Sequence, residues 1–301
     1  MATIALKIDV DTYRGTREGV PRLAAALERA GARATFLFSL GPDHTGRAIK
    51  RVFRRGFLGK VRRTSVTQHY GVKTLLYGVL LPGPHIARRC GEVMREMARR
   101  GLEVGVHTYD HIKWQDGVSR AREPWTRRQL VLARDEFIRV FDHAPEVHGA
   151  AGWQMNRNVP ELERELGFRY ASDTRGISPF MPIVDGREIP VPQLPTTLPT
   201  LDELIGREDL GGVDPVEHLL ALTADGKDQV YTLHAELEGG AYLAAFERLL
   251  GAWRARGFGL TDLRSYASAL DFSRLPRCAI VSGAVEGRSG TLAAQGQAIA
   301  H

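Results

Sequence analysis

Short apolar runs along this chain alternate with longer stretches in which apolar residues return every three or four positions. The runs Ile4–Ile8, Ala34–Leu40 and Leu102–Val106 predict buried strands. Further strands are expected at Glu146–Ala150, Tyr170–Ser172, Gly186–Pro190 and Gln229–Leu233. Between them, helical spacing predicts helices over Glu18–Gly31, Gly83–Arg100, Trp125–Phe141 and Ala241–Arg256, the second closed by Gly101. Strands alternating with helices argue for an α/β fold of parallel βα units that curl toward a barrel. No repeat and no linker divides the chain, so residues 1–281 are expected to form one domain. From Ser282 to His301 the sequence is rich in Gly, Ala and Ser, and this stretch is expected to be a loosely ordered tail.

The polar residues that interrupt this pattern sit at strand ends. Lys7-Ile8-Asp9-Val10-Asp11 closes the first strand, and His107-Thr108-Tyr109-Asp110-His111 follows the third. In α/β folds, ligands and catalytic groups collect at the carboxyl ends of parallel strands. Two imidazoles and one carboxylate leave a divalent metal with open positions, a catalytic rather than a closed structural set. His107 and His111 are four apart, so they share a side whether the segment is helical or extended. Of Asp9 and Asp11, one can bind metal while the other faces the water as general base. Taken singly, such residues have ordinary uses: HxxxH pairs are common, and strand-end Asp residues cap helices. Their joint occurrence is what points to a metal-dependent hydrolase. His234, after the run Gln229–Leu233, is a candidate general acid for a leaving nitrogen. The small residues from Gly149 allow close backbone approach, which makes Gly152 and Trp153 candidate oxyanion donors. Glu236 and Glu238 are read as facing solvent or substrate, with no assigned role.

Charge changes the picture in one place. The chain holds 41 basic and 35 acidic residues, a net charge of +6. No acidic residue lies between Asp43 and Glu92, whereas eleven basic ones do, leaving 30 basic against 35 acidic residues elsewhere. In this insertion, about residues 44–91, Arg51, Arg54, Arg55, Lys60, Arg62 and Arg63 interleave with Val52, Phe53, Phe57, Leu58 and Val61. The apolar run Leu75–Pro82 follows. Mixed cationic and apolar residues suit an interfacial segment on an anionic leaflet, each basic residue contributing about 1 kcal/mol there. A nucleic-acid patch would share the charge but has little use for the apolar partner residues, so no nucleic acid is expected. Cys90 and Cys278 are the only cysteines and offer no disulfide framework. With no signal-peptide pattern and no spanning apolar run, a cytoplasmic protein resting on the inner membrane is expected.

With these residues in place, the chain resembles the polysaccharide deacetylase superfamily, whose fold is a NodB-type distorted (β/α) barrel. His107-Thr108-Tyr109-Asp110-His111 fits that family's H-[ST]-x-x-[HD] motif throughout, and Tyr231-Thr232-Leu233-His234 fits its late histidine motif more loosely. One branch is more similar still, the bacterial 4-deoxy-4-formamido-L-arabinose-phosphoundecaprenol deformylases. That likeness is carried by Ile8–Thr12 with Arg14-Gly15-Thr16-Arg17-Glu18-Gly19-Val20-Pro21-Arg22, and by Ser172-Asp173-Thr174-Arg175-Gly176 and Gly287-Arg288. The resemblance implies one divalent metal ion (Zn, Co, Mn or Fe) on Asp11, His107 and His111, with Asp9 as base and His234 as acid. The family's base-orienting arginine is missing from Gly149–Trp153, and Arg175 is expected to take its place. The implied reaction removes formyl from an aminoarabinose linked by phosphate to undecaprenol, at the anionic inner membrane surface, in lipid A modification. Two other readings stay open: an N-deacetylase of another acylated sugar, and a non-catalytic protein that binds anionic membrane or nucleic acid.

Overall fold

Every second residue of the first strand faces a different environment, and that alternation builds the molecule outward from it. The structure, a computed structural model, describes residues 1–48, 74–288 and 290–299. Among them are the strands β1 (Thr3–Val10), β2 (Thr35–Ser39), β3 (Glu103–Thr108), β4 (Val147–His148), β5 (Tyr170–Ala171), β6 (Met181–Val184), β7 (Arg187–Glu188), β8 (Gln229–His234), β9 (Gly259–Thr261), β10 (Arg277–Gly283) and β11 (Leu292–Ala298). Ile4, Leu6, Ile8 and Val10 of β1 join a core with Leu27 of the helix Val20–Ala30, Met94 of Ile86–Arg99, Phe137 of Glu123–Phe141 and Leu249 of Leu243–Ala255. The alternate residue Ala5 packs on the other face with Leu37, Val147, Tyr170, Leu194 and Val230. Leu263, Tyr266 and Ala267 of the helix Leu263–Ser268 floor this inner core.

The strands run parallel in the order β5-β4-β3-β2-β1-β8, with β9 paired to the start of β1. The remaining gap is crossed by an extended segment rather than a named strand. Leu194 donates to Ala171 O at 2.7 Å, Thr196 to Thr174 O at 2.9 Å, and Thr197 to Val230 O at 3.0 Å. These bonds tie the β5 side to β8 and curl the sheet into the distorted barrel that the alternation of elements predicted. All the strand ends that carry reactive residues therefore meet on one rim.

The C-terminal segment departs from expectation. Residues 282–301 were expected to be a loose tail, yet Leu292–Ala298 forms β11, antiparallel to β10 in a second sheet of order β11-β10-β6-β7. Its far edge bonds the barrel rim: Arg175 donates to Ala293 O at 2.9 Å and Gln295 to Arg175 O at 2.8 Å. A strand bonded along both edges is held by backbone hydrogen bonds, which a small-residue composition does not report. The insertion is also shorter than expected at its end. Ile86, Ala87 and Cys90 are buried on the barrel helix Ile86–Arg99 and are not part of an exposed basic segment. Arg51, Arg54, Arg55, Lys60, Arg62 and Arg63 lie outside the described residues. Among the described residues, no helix is long and apolar enough to cross a membrane.

Ending the chain after Gly283 removes β11 and is expected to lower the thermal unfolding midpoint by roughly 5 °C or more, because each kcal/mol is worth about 2–4 °C in a chain of this size. An unchanged midpoint would return the segment to a tail.

Candidate metal centre and active site

The inward row of β1 continues past Ala5 through Lys7 and Asp9 to Asp11, just beyond the strand. Opposite it, His107 is the penultimate residue of β3, and His111 opens the helix His111–Gly117, whose cap Asp110 accepts from Lys113 N at 3.1 Å. His107 Nδ1 donates to Gly149 O at 2.6 Å, which leaves Nε2 as the free lone pair. That nitrogen lies 3.2 Å from Asp11 Oδ1, and His111 Nε2 lies 3.4 Å from Asp11 Oδ2. Asp11 Oδ1 is buried without a hydrogen-bond partner. The donor set of one carboxylate, its Oδ1 bare, and two imidazoles could hold a divalent metal. Burial works to raise the pKa of Asp11, but His111 and then His107 outweigh it and hold the carboxyl well below its usual range. Burial pushes His111 down to about 4, leaving it neutral as a ligand must be.

Asp9 is almost fully buried, with Oδ1 lacking a hydrogen-bond partner. The cation beside it is Lys7, whose Nζ is 3.5 Å from Asp9 Oδ2 and donates to Ser172 O at 2.9 Å. This corrects the expectation for Arg175, whose guanidinium bonds Glu203 Oε1 at 2.6 Å and Leu198 O at 3.0 Å and not Asp9. Lysine escaped notice in the sequence, although its two-residue spacing from Asp9 was the available signal. Strand register sets Asp9 directly beside His234, across the β1–β8 pair. His234 Nδ1 faces Asp202 Oδ1 at 3.6 Å. Burial works against a charge on His234, but Asp202, then Asp11 and Asp9, raise its pKa to about 9. The imidazole therefore carries its proton at neutral pH, as a general acid requires.

Neither neighbouring acid faces solvent, although Glu236 lines the cleft, the substrate side of the expectation, while Glu238 is fully buried. Glu236 is buried, with Oε1 accepting from Asp11 N at 3.1 Å and from Thr12 N and Thr12 Oγ1 at 2.8 Å each. Burial first, then Asp11, pushes its pKa up to about 8. Glu238 Oε2 accepts from His234 N at 2.9 Å. Trp153 is also revised. Its backbone N–H is committed to Ala150 O at 3.0 Å, so of the two expected oxyanion donors only Gly152, which lines the cleft at φ 61°, is retained. Trp153 contributes its ring instead, with Lys7, Arg175 and Arg288 at 5.4, 5.0 and 4.4 Å from its centroid. The cleft measures about 320 Å³ and is lined by Asp9, Asp11, His107, His111 and His234, by Arg288, and by the apolar Ala48, Leu75, Ile112 and Leu237.

A buried cluster behind the rim also went unread in the sequence. His148 Nδ1 lies 2.6 Å from Glu163 Oε1 and 3.0 Å from Asp173 Oδ1, all three side chains excluded from solvent. Burial opposes a charge on His148, but Asp173 and Glu163 overcome it and raise its pKa to about 10. Asp173 Oδ1 also accepts from Ala150 N at 2.7 Å, so the cluster anchors the turn whose Gly149 carbonyl holds His107.

A sequence profile described as polysaccharide deacetylase matches residues 2–171, more than half of the chain. The chain belongs to the polysaccharide deacetylase family. It is accordingly a hydrolase of amide carbon–nitrogen bonds. It is 32% identical over 296 residues to a Shewanella sediminis protein named 4-deoxy-4-formamido-L-arabinose-phosphoundecaprenol deformylase ArnD, covering 98% of this chain and 95% of that one. A Wigglesworthia glossinidia brevipalpis protein of the same name is 29% identical, covering 93% and 98%. The fold is similar to a crystal structure of a Mycobacterium smegmatis polysaccharide deacetylase, at a TM-score of 0.64 and 19% identity over 94% of this chain and 95% of that one.

A general acid at His234 would have to hold its proton, so on that role the hydrolytic rate is expected to fall as pH rises through about 9. Asp202→Asn removes the largest influence raising that pKa, so the alkaline limb of kcat/KM should move to lower pH. A limb that stays in place would assign the acid to another group.

Proposed function

We propose that this protein removes the formyl group from 4-deoxy-4-formamido-L-arabinose carried through phosphate on undecaprenol, releasing formate and freeing the amine. The observation that carries this reading is near-full-length similarity to two proteins named for that deformylation, in a chain that retains the whole reactive constellation on one rim. Asp11, His107 and His111 are the residues to hold one divalent metal, which when bound supplies a Lewis acid for the formyl oxygen and an acidified water. Asp9 accepts the proton of the attacking water, held from behind by Lys7. Gly152 offers a backbone N–H to the developing oxyanion, and His234 protonates the departing nitrogen. The cleft volume lies at the small end of ligand sites, which suits one sugar residue rather than a polymer strand.

The proposed docking surface is the anionic face of the membrane that carries the lipid. Leu75 lines the cleft, and the turn that follows it exposes Val79, Leu80 and Leu81, with Leu80 76% accessible. An apolar tip on the same short segment as a cleft residue, next in sequence to the basic run, matches a lipid-linked substrate that reaches the site from a bilayer.

Metal-stripped protein is expected to release no formate from the lipid-linked formamido sugar, and metal restoration to recover it. Asp9→Asn should reduce turnover by roughly 10²–10⁴-fold, the usual worth of a positioned base. Acetate released from N-acetyl sugars, with no formate from this substrate, would reassign the acyl group.

Leu80→Asp is expected to weaken binding to phosphatidylglycerol-containing vesicles in a flotation assay while leaving turnover of a detergent-dispersed substrate intact. Equal binding by wild type and variant would remove this turn from the membrane contact.

A further inference from the structure

Arg288 belongs to neither the metal set nor the acid–base pair, yet its guanidinium lines the cleft. It arrives from the turn between β10 and β11, the segment least expected to reach an active site. Gly287 lets it approach: at φ 83°, a Cβ there would fall 2.3 Å from Glu203 O. The turn is thus pressed directly onto the short helix Leu201–Leu204. From there Arg288 Nε donates to Glu203 Oε1 at 2.5 Å, and its terminal nitrogen reaches Asp202 Oδ2 at 3.3 Å. The guanidinium also lies 4.4 Å over the ring of Trp153. Glu203 is fully buried and shared with Arg175, so the fork is fixed at one end by a second arginine.

Asp202 is the group that this fork constrains. Its other oxygen, Oδ1, takes the Thr200 hydroxyl at 2.6 Å and faces His234 Nδ1 at 3.6 Å. The Asp202 side chain is 45% accessible, so little packing holds its rotamer. A half-exposed carboxylate needs such partners to stay on one imidazole nitrogen.

We propose that Arg288 is a positioning residue, which clamps Asp202 against His234 so that the imidazole presents Nε2 to the leaving nitrogen. The C-terminal sheet would then be a working part of the active site, with Gly287 and Arg288 as its point of contact. This inference rests on His234 being the acid of the proposed deformylation.

The test uses the full-length, metal-loaded protein as Arg288→Met, Arg288→Lys, Asp202→Asn and the Arg288→Met/Asp202→Asn double variant, each first checked for its thermal midpoint. With the formamido-sugar lipid, Arg288→Met is expected to lower kcat by roughly 10–100-fold, a part of the worth of general acid catalysis, with KM little changed. The double variant should be no slower than Asp202→Asn, because both act through one imidazole. Arg288→Lys should recover only part of the loss, since an ammonium cannot span both carboxylates in the fork geometry. Nitrogen-15 spectra recorded above pH 9, where His234 becomes a neutral imidazole, should show it losing its fixed Nδ1–H tautomer in Arg288→Met, as in Asp202→Asn. A raised KM with unchanged kcat would make Arg288 a substrate contact and overturn the proposal, as would additive losses or an unchanged tautomer. If the wild type releases no formate, the deformylase reading fails, and the spectra still decide whether Arg288 positions His234.

Discussion

Lys7 and Asp9 lie 3.5 Å apart on the inward face of the central strand, both shut off from bulk water, and much of the rim is arranged around that pair. Two isolated ions in such a place would each cost several kcal/mol in lost hydration, and their mutual attraction offsets this only with further hydrogen bonds. Ser172 O supplies one of them, and the face of Trp153 adds a diffuse second partner for the ammonium. Gly149 makes the room: a Cβ there would fall 2.4 Å from Leu37 Cδ1 and 3.2 Å from Lys7 Cε. The same glycine offers its carbonyl to His107 Nδ1, so the space for the buried lysine and the orientation of a candidate metal ligand come from one residue.

From that pair outward, each charge on the rim is matched by its neighbours. Asp11 answers His107 and His111, Asp202 answers His234, Glu203 answers Arg175 and Arg288, and His148 answers Glu163 and Asp173. Networks of this kind contribute little net stability, but removing one member strands the rest in a medium that cannot solvate them. They make the geometry single-valued, which a hydrolytic site needs more than it needs stability. The price is that several of these groups are far from their ordinary protonation behaviour. His234 is charged and His111 neutral at the same pH, and the difference lies in the company each keeps: Asp202 beside the first, burial dominating the second. Two like groups on one rim are thereby held in opposite protonation states.

Particular residues show how far the chain could be read without coordinates. The gathering of Asp9, Asp11, His107 and His234 on one rim was legible because each lies at or just past the end of a strand-like run, with His111 four residues after His107, and parallel strands bring such ends together. Arg175 was misread because only its charge and its strand-end position were visible. Its actual partner, Glu203, is 28 residues away and reaches it through a helix of a single turn. The tail was misread because the composition of Leu292–Ala298 is that of a loop, while its order comes from bonds to β10 and to Arg175 on opposite edges. His148 was passed over because no companion lies near it in sequence, with Glu163 and Asp173 being 15 and 25 positions away.

Local periodicity in the chain already set the alternation of elements, the inward and outward faces of the first strand, and the residue types waiting at the strand ends. A side chain's face follows from its place in the repeat. Only folding settled who stands beside whom: Lys7 rather than Arg175 beside Asp9, Asp202 beside His234, and Arg288 at the cleft wall. Those choices depend on strand register and on turns that join distant segments. A hydrogen bond is specified by the positions of two groups in space, and sequence separation carries almost no information about that distance once a chain has folded back on itself.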